Sequence, residues 1–379
     1  MLRRLDMLRP YLTAAVVIGY HRTGAAPAEV GGWPAISLGR TVDSKLGHRA
    51  WSVLRARLLL RRLQLHMVGA TVVIARQLEM LVLARSAREQ HAPDAVLAYE
   101  CLDIHRLMVV RSPIGFALRW LERRLLLATD LLIVSSTAFV REHLAVVHGQ
   151  RLPPICLVEN KVLRSDLTSL PTRSLKPTGP PWRIGLFGVL RCRRSLDLLA
   201  ALVRQLPGKV VVDLRGRPSY AAIPDFDSIV ATTPGLRFLG AYDRRKDLAA
   251  IYGAVHFVWS IDFFEADGNS RWLLPNRLYE GGYHGVVPIA LAAVETGRWL
   301  ATQGAGMLLA EPLAVDLLRH FSELRPDAYA EAAAQVARVE RSAWLDEGQD
   351  GERLAAALCI RRPKQHAAAS TAPVTHRSR

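Results

Sequence analysis

The fold is decided by one stretch of the chain, residues 184–195, which reads IGLFGVLRCRRS. It opens with an apolar run of the length expected for a buried β-strand. Gly188 then marks a turn, and an arginine-rich loop leads into a helical pattern that continues from Ser195 to Gln205. A strand that passes through a glycine turn into a helix is the repeating unit of parallel α/β sheets.

The same alternation extends in both directions from this stretch. Helices are predicted over Leu78 to Glu89 and over Phe116 to Ala128. The predicted strands are short apolar runs at residues 14–20, 70–75, 95–99, 130–134, 154–158, 182–187, 209–214, 236–239, 256–260 and 286–290. This pattern indicates an α/β protein with two Rossmann-like modules, each a parallel sheet covered on both faces.

A proline-rich segment separates the two modules. Residues 166–181 carry four prolines together with Ser, Thr and Gly, a composition typical of an interdomain linker. We therefore expect an N-terminal domain over residues 1–165 and a C-terminal domain over residues 182–345. A C-terminal helix over residues 346–360 and a disordered basic tail over residues 361–379 are expected to follow.

Composition excludes several classes of protein. The chain has 379 residues, too many for one ordinary core, and half of them are hydrophobic, which argues against disorder and against a fibrous protein. Lys and Arg total 50 against 34 Asp and Glu, and the resulting charge of +16 favours anionic partners, although a generally arginine-rich surface would explain it too. The four cysteines are far apart in sequence, so neither a zinc ribbon nor a redox motif is indicated.

The sequence predicts neither a secretory signal nor a membrane span. Its start leads into no clean apolar region, and no apolar run reaches the ~18 residues that a spanning helix needs. We expect a cytoplasmic protein, with peripheral association at the inner face of the plasma membrane. Val53 to Leu65 and Phe116 to Leu127 place Arg beside Leu and Trp, a pattern that suits an anionic membrane surface. Core helices with an arginine face are the alternative interpretation.

The loop after Gly188 is suited to a diphosphate. Glycine allows the backbone to approach a ligand closely, and the following helix start offers free N–H groups. Arg191, Arg193 and Arg194 can add bidentate hydrogen bonds to phosphate oxygens. An ordinary strand-to-helix turn with a solvated basic helix start explains these residues equally well.

Two further stretches resemble glycosyltransferases of the GT-B type. Residues 236–260, LRFLGAYDRRKDLAAIYGAVHFVWS, are similar to the segment of retaining members in which a strand and a Phe-Leu-Gly turn cradle the nucleobase. Residues 275–290, PNRLYEGGYHGVVPIA, resemble the block in which a basic residue stands three positions before a glutamate and a Gly-x-x-Pro strand follows. The likeness is greatest to the bacterial exopolysaccharide (succinoglycan-type) and lipopolysaccharide enzymes.

The resemblance implies two Rossmann-like domains that face each other across a cleft. It implies that Glu280 accepts hydrogen bonds from both ribose hydroxyls, since a carboxylate offers two acceptor oxygens to a vicinal diol. Arg277 would face the diphosphate and stabilise charge on the leaving group. The donor-binding residues implied by the three stretches are Gly188, Arg191, Arg193, Arg194, Leu239, Gly240, Tyr242, Asn276, Arg277, Leu278 and Glu280.

The sequence departs from the retaining pattern at one position. Retaining members carry a second carboxylate eight residues before the ribose-binding glutamate, and that position here is Trp272. We expect Glu265 to take the catalytic role, with Asn269 and Ser270 contacting the donor sugar. The departure leaves open whether the anomeric configuration is inverted or retained.

Neither a metal nor a cofactor is expected. Asp225-Phe226-Asp227 matches the DxD metal motif of another glycosyltransferase class, but no strand end leads into it. We interpret it as a turn with capping carboxylates. In the GT-B enzymes that the chain resembles, protein cations and helix dipoles take the role of the metal.

Polar residues follow the predicted strand at 95–99. Glu100, Asp103 and His105 stand where a parallel strand meets the crevice, and they are expected to contact the acceptor or to assist proton transfer. A capped loop with surface charges is the alternative. The basic segment Leu2 to Leu8 stands where GT-B domains normally open with a strand, so we expect either that this domain lacks its first strand or that the reading frame starts late.

These observations predict a glycosyltransferase that moves a sugar from a UDP- or GDP-sugar to a glycan or polyprenyl-diphosphate-linked acceptor in bacterial surface or exopolysaccharide synthesis. No nucleic-acid partner is expected. Two alternatives remain: a nucleotide-sugar epimerase of the same fold, which would need no acceptor, and a non-enzymatic protein of anionic surfaces or nucleic acid, which would bind duplexes with steep salt dependence. An NAD-dependent dehydrogenase is disfavoured because no GxGxxG follows any predicted strand.

Overall fold

A computed structural model describes residues 2–21, 24–40, 64–149, 151–167, 179–266 and 268–359. Most of the amphipathic stretch from Val53 to Leu65, the middle of the predicted linker and the predicted tail lie outside the described residues. Within the described ranges, no helix is both long enough and apolar enough to cross a bilayer.

The strands of the N-terminal half are short. They are β1 (Val17–His21), β2 (Glu29–Val30), β3 (Trp33–Arg40), β4 (Val72–Arg76), β5 (Val96–Cys101), β6 (Leu131–Val134), β7 (Ile155–Leu157) and β8 (Val162–Leu163). Strands β4 to β7 pair in that order as a parallel sheet. Strand β6 is buried along its whole length, as expected of a strand covered on both faces.

The first predicted strand lies in a different sheet from the one expected. Strand β1 pairs in parallel with β3, and β2 pairs with β3 in antiparallel fashion. The sequence analysis missed β3 because Pro34 and Gly39 interrupt its apolar pattern. Ile18 and Ile36 of this sheet pack into one apolar cluster with Met67 and Ala95, so the sheet covers part of the N-terminal core.

The helices of the N-terminal half surround these sheets. They are α1 (Leu2–Leu8), α2 (Gln64–Met67), α3 (Leu78–His91), α4 (Arg106–Val109), α5 (Pro113–Leu126), α6 (Thr137–Phe139) and α7 (Ala145–His148), with a π-helical turn at Val140–Leu144 and 3-10 turns at Arg9–Tyr11 and Arg164–Asp166. Helix α5 begins where its sequence dictates. Pro113 stands in the first turn, and Ser112 Oγ accepts a hydrogen bond of 3.0 Å from the N–H of Gly115.

The C-terminal half is built on one parallel sheet. Its strands are β9 (Trp182–Leu190), β10 (Val210–Pro218), β11 (Leu236–Phe238), β12 (Phe257–Trp259), β13 (Val287–Leu291) and β14 (Met307–Leu309), and β15 (Leu345–Asp346) follows outside this sheet. The strand order is β11-β10-β9-β12-β13-β14. Successive strands run outward in one direction from β9 and in the other from β12. A crevice therefore opens at the carboxyl ends of β9 and β12, where ligands bind in sheets of this kind.

The helices of this half cover both faces of the sheet. They are α8 (Arg193–Gln205), α9 (Phe226–Ala231), α10 (Leu248–Gly253), α11 (Asn269–Trp272), α12 (Asn276–Tyr283), α13 (Glu295–Gln303), α14 (Leu313–Glu323), α15 (Pro326–Arg338), α16 (Arg341–Trp344) and α17 (Gln349–Ala357). Several of them, among them α8, α12 and α14, join the strands in one large core that includes Trp182 and Trp259.

The end of the described chain returns to the N-terminal half. Strand β15 pairs in parallel with β8. Leu354 and Leu358 pack with Met7 and Leu8 of α1 against the sheet residue Ile133. The predicted C-terminal helix is therefore part of the core of the first half.

Candidate active site

Two glycines face each other near the carboxyl ends of β9 and β10. Gly188 and Gly216 are partners in register, with φ angles of 118° and 131°. A Cβ on Gly216 would lie 1.7 Å from the carbonyl oxygen of Gly188, so only glycine fits there. A Cβ on Gly188 itself would meet no described atom within 4 Å. Gly188 lies inside β9 and not in the turn predicted there, and the space beside it is open to a ligand.

The turn predicted to hold the nucleobase lies next to this pair. Gly240 has a φ of 79°, and its carbonyl oxygen accepts a hydrogen bond of 2.9 Å from the N–H of Gly216. Leu239 is exposed, and its carbonyl oxygen accepts a bond of 3.2 Å from Arg215. The Gly188–Gly216 pair and the turn after β11 thus lie at the same edge of the sheet.

Glu280 lies buried on α12 with both carboxylate oxygens engaged. Only 3% of the residue is exposed. Arg244 Nε donates to Oε1 at 2.7 Å, and the Tyr252 hydroxyl donates to Oε2 at 2.9 Å. Arg244 also pairs with Asp166 at 3.2 Å. Burial and the charge of Glu280 raise the pKa of Tyr242 to about 12, so this phenol stays neutral beside the carboxylate.

The Glu280 region packs against the residue of β9 that precedes Gly188. Phe187, which precedes Gly188, packs edge-on against Tyr252 with ring centroids 5.1 Å apart, and Tyr252 holds Glu280. Arg277, one helical turn before Glu280, donates to the carbonyl oxygen of Ile261 at 2.9 Å. The buried Nε of Arg277 has no hydrogen-bond partner in the described part of the chain, which leaves one donor for a ligand.

The three arginines after Gly188 separate into two groups. Arg191 stacks on the ring of Phe264 at 4.2 Å and lines a small cavity together with Arg277 and Asp262. Arg193 and Arg194 line a second cavity, of about 780 Å³, which Arg191 also borders but Arg277 does not. The structure therefore brings Arg191 together with Arg277.

The two outer arginines are already neutralised by carboxylates. Arg193 pairs with Asp197 at 2.9 Å and with Asp225 at 2.8 Å, and Arg194 pairs with Glu311 at 3.2 Å. Asp225 stands at the N-cap of α9, but its side chain makes no capping hydrogen bond. Our interpretation of the DxD segment as a capping turn is corrected on this point, because the Asp225 carboxylate binds Arg193.

The loop after β12 carries the residues expected near the donor sugar. The Ser270 hydroxyl donates to Asp262 Oδ2 at 3.1 Å and accepts from the N–H of Glu265 at 2.9 Å. Asn269 Nδ2 donates to Asp103 Oδ1 at 2.8 Å, and Asn269 Oδ1 accepts from the N–H of Ile104 at 3.3 Å. Asn269 therefore joins the two halves of the molecule at the cleft.

Glu265 lies in the same electrostatic cluster. Partial burial raises its pKa, and the neighbouring carboxylate of Asp103 raises it further, while Arg191 opposes the shift. Glu265, Asp103 and Arg191 are thus close enough to influence one another across the cleft. A carboxyl group whose pKa is raised is better matched to proton transfer near neutral pH.

Glu100 and His105, the two other residues expected on the acceptor side, form hydrogen bonds within the N-terminal half. Glu100 is buried, with Arg4 Nε at 2.6 Å from Oε1 and Arg76 Nε at 2.8 Å from Oε2. Burial alone would raise the pKa of Glu100, yet the two guanidinium groups lower it. This carboxylate anchors α1 to the sheet, a position unsuited to the catalytic role predicted for it. His105 caps α4, since its Nδ1 accepts from the N–H of Leu107 at 3.3 Å.

Trp272 occupies the position of the missing second carboxylate for a structural reason. Its ring packs into the core of the N-terminal half and lies 5.9 Å from the ring of His143. A carboxylate in this apolar contact would be buried without a cation. Glu265, seven residues earlier, faces Asp103 instead.

The sequence analysis missed the partners that hold the predicted residues. Arg244 and Tyr252 hold Glu280, and Asp262 holds Ser270. The only local signal was the pair of arginines, Arg244 and Arg245, shortly after the Phe-Leu-Gly turn. Nothing in the local pattern indicates that Arg244 contacts Glu280, which lies 36 residues later on α12.

Comparison with known proteins identifies the family. No family model matches the chain. The succinoglycan biosynthesis protein ExoL of Rhizobium meliloti (strain 1021) is 42% identical over 373 residues, 96% of this chain and 92% of ExoL. Anabaena HepE in complex with UDP matches 94% of this chain and 95% of its own, with a TM-score of 0.67 and 16% identity. Sucrose-phosphate synthase from Thermosynechococcus elongatus matches 90% of this chain and 87% of its own, with a TM-score of 0.67 and 14% identity.

The structural likenesses confirm the predicted fold, and the ExoL match confirms the predicted family. Together they support the prediction of a glycosyltransferase in exopolysaccharide or lipopolysaccharide synthesis. The chain belongs to the family of the succinoglycan biosynthesis protein ExoL, on the GT-B fold of glycosyltransferases.

Proposed function

We propose that the cleft binds a UDP-sugar, with the base at the Gly240 turn and the ribose on Glu280. The observation that carries this proposal is the buried Glu280 carboxylate at the ligand-binding edge of the sheet. A carboxylate has about four lone-pair sites, so Arg244 and Tyr252 leave acceptor positions for two ribose hydroxyls. HepE, which shares the fold, was solved with UDP and with UDP-glucose, and this supports the choice of nucleotide.

In this proposal Arg277 and Arg191 bind the diphosphate. As the bond from the anomeric carbon to the diphosphate oxygen breaks, negative charge collects on the leaving nucleotide. Arg191 and the unpaired Nε of Arg277 lie where they can stabilise that charge. The open space beside Gly188 lets the phosphates approach the backbone. These protein groups supply the positive charge of the site.

Glu265 is the proposed proton acceptor. The acceptor hydroxyl oxygen bonds to the anomeric carbon, its proton passes to the Glu265 carboxylate, and the nucleoside diphosphate leaves with the bonding electron pair. The raised pKa of Glu265, caused by burial and by Asp103, suits this step. Asp103 and Asn269 act as positioning residues, because their hydrogen bond holds the loop of Glu265 against the acceptor-side domain.

The exposed face of α5 is the proposed membrane surface. Phe116 is 68% exposed and Trp120 54% exposed, and both lie on the same helix as the exposed Arg123 and Arg124. Apolar rings beside cationic side chains are the combination that binds anionic lipid headgroups. A glycan acceptor carried on a polyprenyl diphosphate would be presented at such a surface.

Nucleotide binding by the Glu280→Gln variant tests the central claim. We expect UDP to stabilise the native chain against thermal unfolding and its affinity to fall by roughly 10- to 100-fold in the variant, since each hydrogen bond to a charged group contributes about 1.5–3 kcal/mol. The matched control is Tyr252→Phe, which removes one partner of Glu280 but keeps the carboxylate. It should bind UDP within a few-fold of the native chain.

Either of two results would contradict the proposal. One is equal UDP affinity in Glu280→Gln and the native chain, and the other is a native chain that responds to no nucleoside diphosphate. Conversion of a UDP-sugar to its epimer without an acceptor would identify the alternative activity on this fold.

A further inference from the structure

A buried cluster of nitrogen and oxygen ligands lies in the N-terminal half, outside the proposed donor and acceptor sites. It consists of Glu122 on α5, His143 in the π-helical turn and His148 on α7. The three residues are 0%, 3% and 5% exposed. One ligand atom from each lies within 4.8 Å of the others.

The π-helical turn brings the two imidazoles to one side. His143 and His148 are five residues apart, and in a regular α-helix that separation places two side chains about 140° apart around the axis. The π-helical turn at Val140–Leu144 contains one residue more than a turn of α-helix. We therefore expect His143 and His148 to lie on the same side, as residues four apart do in a regular α-helix. Nε2 of His148 lies 2.6 Å from Glu122 Oε2, and Nε2 of His143 lies 3.9 Å from the same oxygen. Turns of this kind concentrate at functional sites.

His143 has an unused ligand atom that faces the cluster. Its Nε2 is buried and has no hydrogen-bond partner among the described residues. Glu122 carries a negative charge in the core, and its ion-pair partners within the described ranges are only these two histidines. A bound cation would satisfy both the imidazole nitrogen and the carboxylate.

We propose that Glu122, His143 and His148 bind one Zn²⁺ ion. Two imidazole nitrogens and a carboxylate oxygen form a donor set that zinc prefers, whereas Ca²⁺ and Mg²⁺ take oxygen ligands. Zinc bonds of about 2.0–2.2 Å in tetrahedral geometry separate the ligand atoms by roughly 3.3 Å. The distances of 2.6 and 3.9 Å lie on either side of that value, so small side-chain rotations form the site.

Neighbouring groups fit the same assignment. The Tyr99 hydroxyl donates to Glu122 Oε1 at 3.3 Å, the outer contact that commonly orients a carboxylate ligand. The ring of His143 packs on Trp272 of α11, the helix that carries Asn269. The ion would join α5, the π-helical turn and α7 into a rigid surface beneath the loop of the cleft, and it would take no part in sugar transfer.

Metal analysis of the full chain, purified without a histidine tag, tests this proposal. After dialysis against EDTA and addition of one equivalent of Zn²⁺ followed by gel filtration, we expect about one zinc per chain and a rise of several °C in the unfolding temperature. Co²⁺ in place of Zn²⁺ should give the intense visible absorption of a four-coordinate ion. The proposal would be overturned by less than about 0.2 metal per chain together with an unfolding temperature that Zn²⁺ does not change. The three side chains would then form a hydrogen-bonded cluster without a metal.

Two variants separate the site from surface binding. Glu122→Gln removes the carboxylate and should lose the stoichiometric zinc and the Co²⁺ spectrum. Tyr99→Phe is the matched control, because it removes only the outer contact and should keep the ion with reduced affinity. If Glu122→Gln retains one zinc per chain, the assignment is wrong. The measurements on the native chain decide the question even if a variant fails to fold.

Discussion

Asp103 raises the pKa of Glu265 from the opposite side of the cleft. Each carboxylate is supplied by a different half of the molecule, and their proximity raises the pKa of Glu265 in addition to the effect of burial. The contribution of Asp103 to the raised pKa therefore depends on contact between the two halves. If Glu265 is the proton acceptor, as proposed, its pKa will depend in part on closure of the cleft.

The pH dependence of kcat/KM tests this pairing. A base must be ionised, so kcat/KM should fall as the pH drops through the raised pKa of Glu265, at a pH above the ordinary value for glutamate of about 4.3. Asp103→Asn removes the repelling charge and lowers that pKa, so the acidic limb should move to lower pH. Glu265→Gln should abolish the limb along with most of the activity.

Asp94→Asn is the matched control for this experiment. Asp94 is an exposed carboxylate on the N-terminal half, and its removal should leave the pH profile unchanged. An acidic limb that stays in place in Asp103→Asn would show that Glu265 is not the titrating group.

For single residues, the sequence could predict only those roles that neighbouring residues in the chain indicate. Glu280 and Arg277 could be predicted as donor-binding residues because the resemblance lies in their spacing along one helix. The role of Arg244 could not be read, since its partners Glu280 and Asp166 come from distant segments. The ion pair of Glu100 could not be predicted for the same reason, as its partner Arg4 is 96 residues away.

At the scale of elements, the approach of β9 to β10 is the feature that shapes the donor site. Gly216→Ala would place a Cβ 1.7 Å from the Gly188 carbonyl oxygen, so the two strands would have to separate. We expect a loss of more than about 2 kcal/mol of unfolding free energy and a clear loss of UDP affinity. Chemical denaturation and nucleotide titration would measure the two effects.

Gly208→Ala is the control for that substitution. Gly208 also has a positive φ, 73°, but a Cβ there would meet no described atom within 4 Å. Its cost should be the backbone strain alone, about 1 kcal/mol, with UDP affinity unchanged. Equal losses in the two variants would mean that close strand approach is unimportant.

Helix α5 carries a prediction about membranes. Phe116→Ala combined with Trp120→Ala should reduce binding to vesicles that contain anionic lipid by about tenfold or more, because each ring inserts apolar area into the interface. Cosedimentation would measure it, and UDP affinity should not change. Val146→Ala, an exposed apolar residue on α7, is the control. Unaltered vesicle binding in the double variant would exclude this face.

Elements were predicted best where burial is uniform. Strands such as β6 and β13 are apolar at every position, so their pattern depends little on context. Strand β3 was missed because Pro34 and Gly39 interrupt its pattern. The π-helical turn has no sequence signature at all, since its extra residue is fixed by the packing around it.

At the scale of the whole molecule, hydrogen bonds and ion pairs across the cleft hold the two halves together. Glu295 on α13 accepts from Thr137 at 3.3 Å and from Arg141 at 2.8 Å, both in the N-terminal half. Together with the Asn269 contact, these bonds close the cleft along one edge. Closure of this kind excludes water that would hydrolyse the donor.

Arg141→Ala tests the role of this contact. Arg141 is half exposed, so its removal should cost little stability but should favour an open cleft. We expect a larger radius of gyration in solution scattering and an increased ratio of donor hydrolysis to transfer, with UDP affinity unchanged. Arg85→Ala, which breaks an exposed pair within α3, is the control. If neither the radius of gyration nor the ratio of hydrolysis to transfer changes, this contact does not keep the cleft closed.

The return of the chain's last helix to the first half has a practical consequence. Because β15 pairs with β8 and α17 packs on α1, the six-stranded sheet of the second half is inserted between two segments of the first half. Cutting the chain just after Trp344, which belongs to the core of the second half, would therefore remove β15 and α17 from the first half and leave the core of the second half intact. Because the chain passes between the halves twice, rotation of one half relative to the other is restricted. We therefore expect the halves to open and close about a single hinge axis.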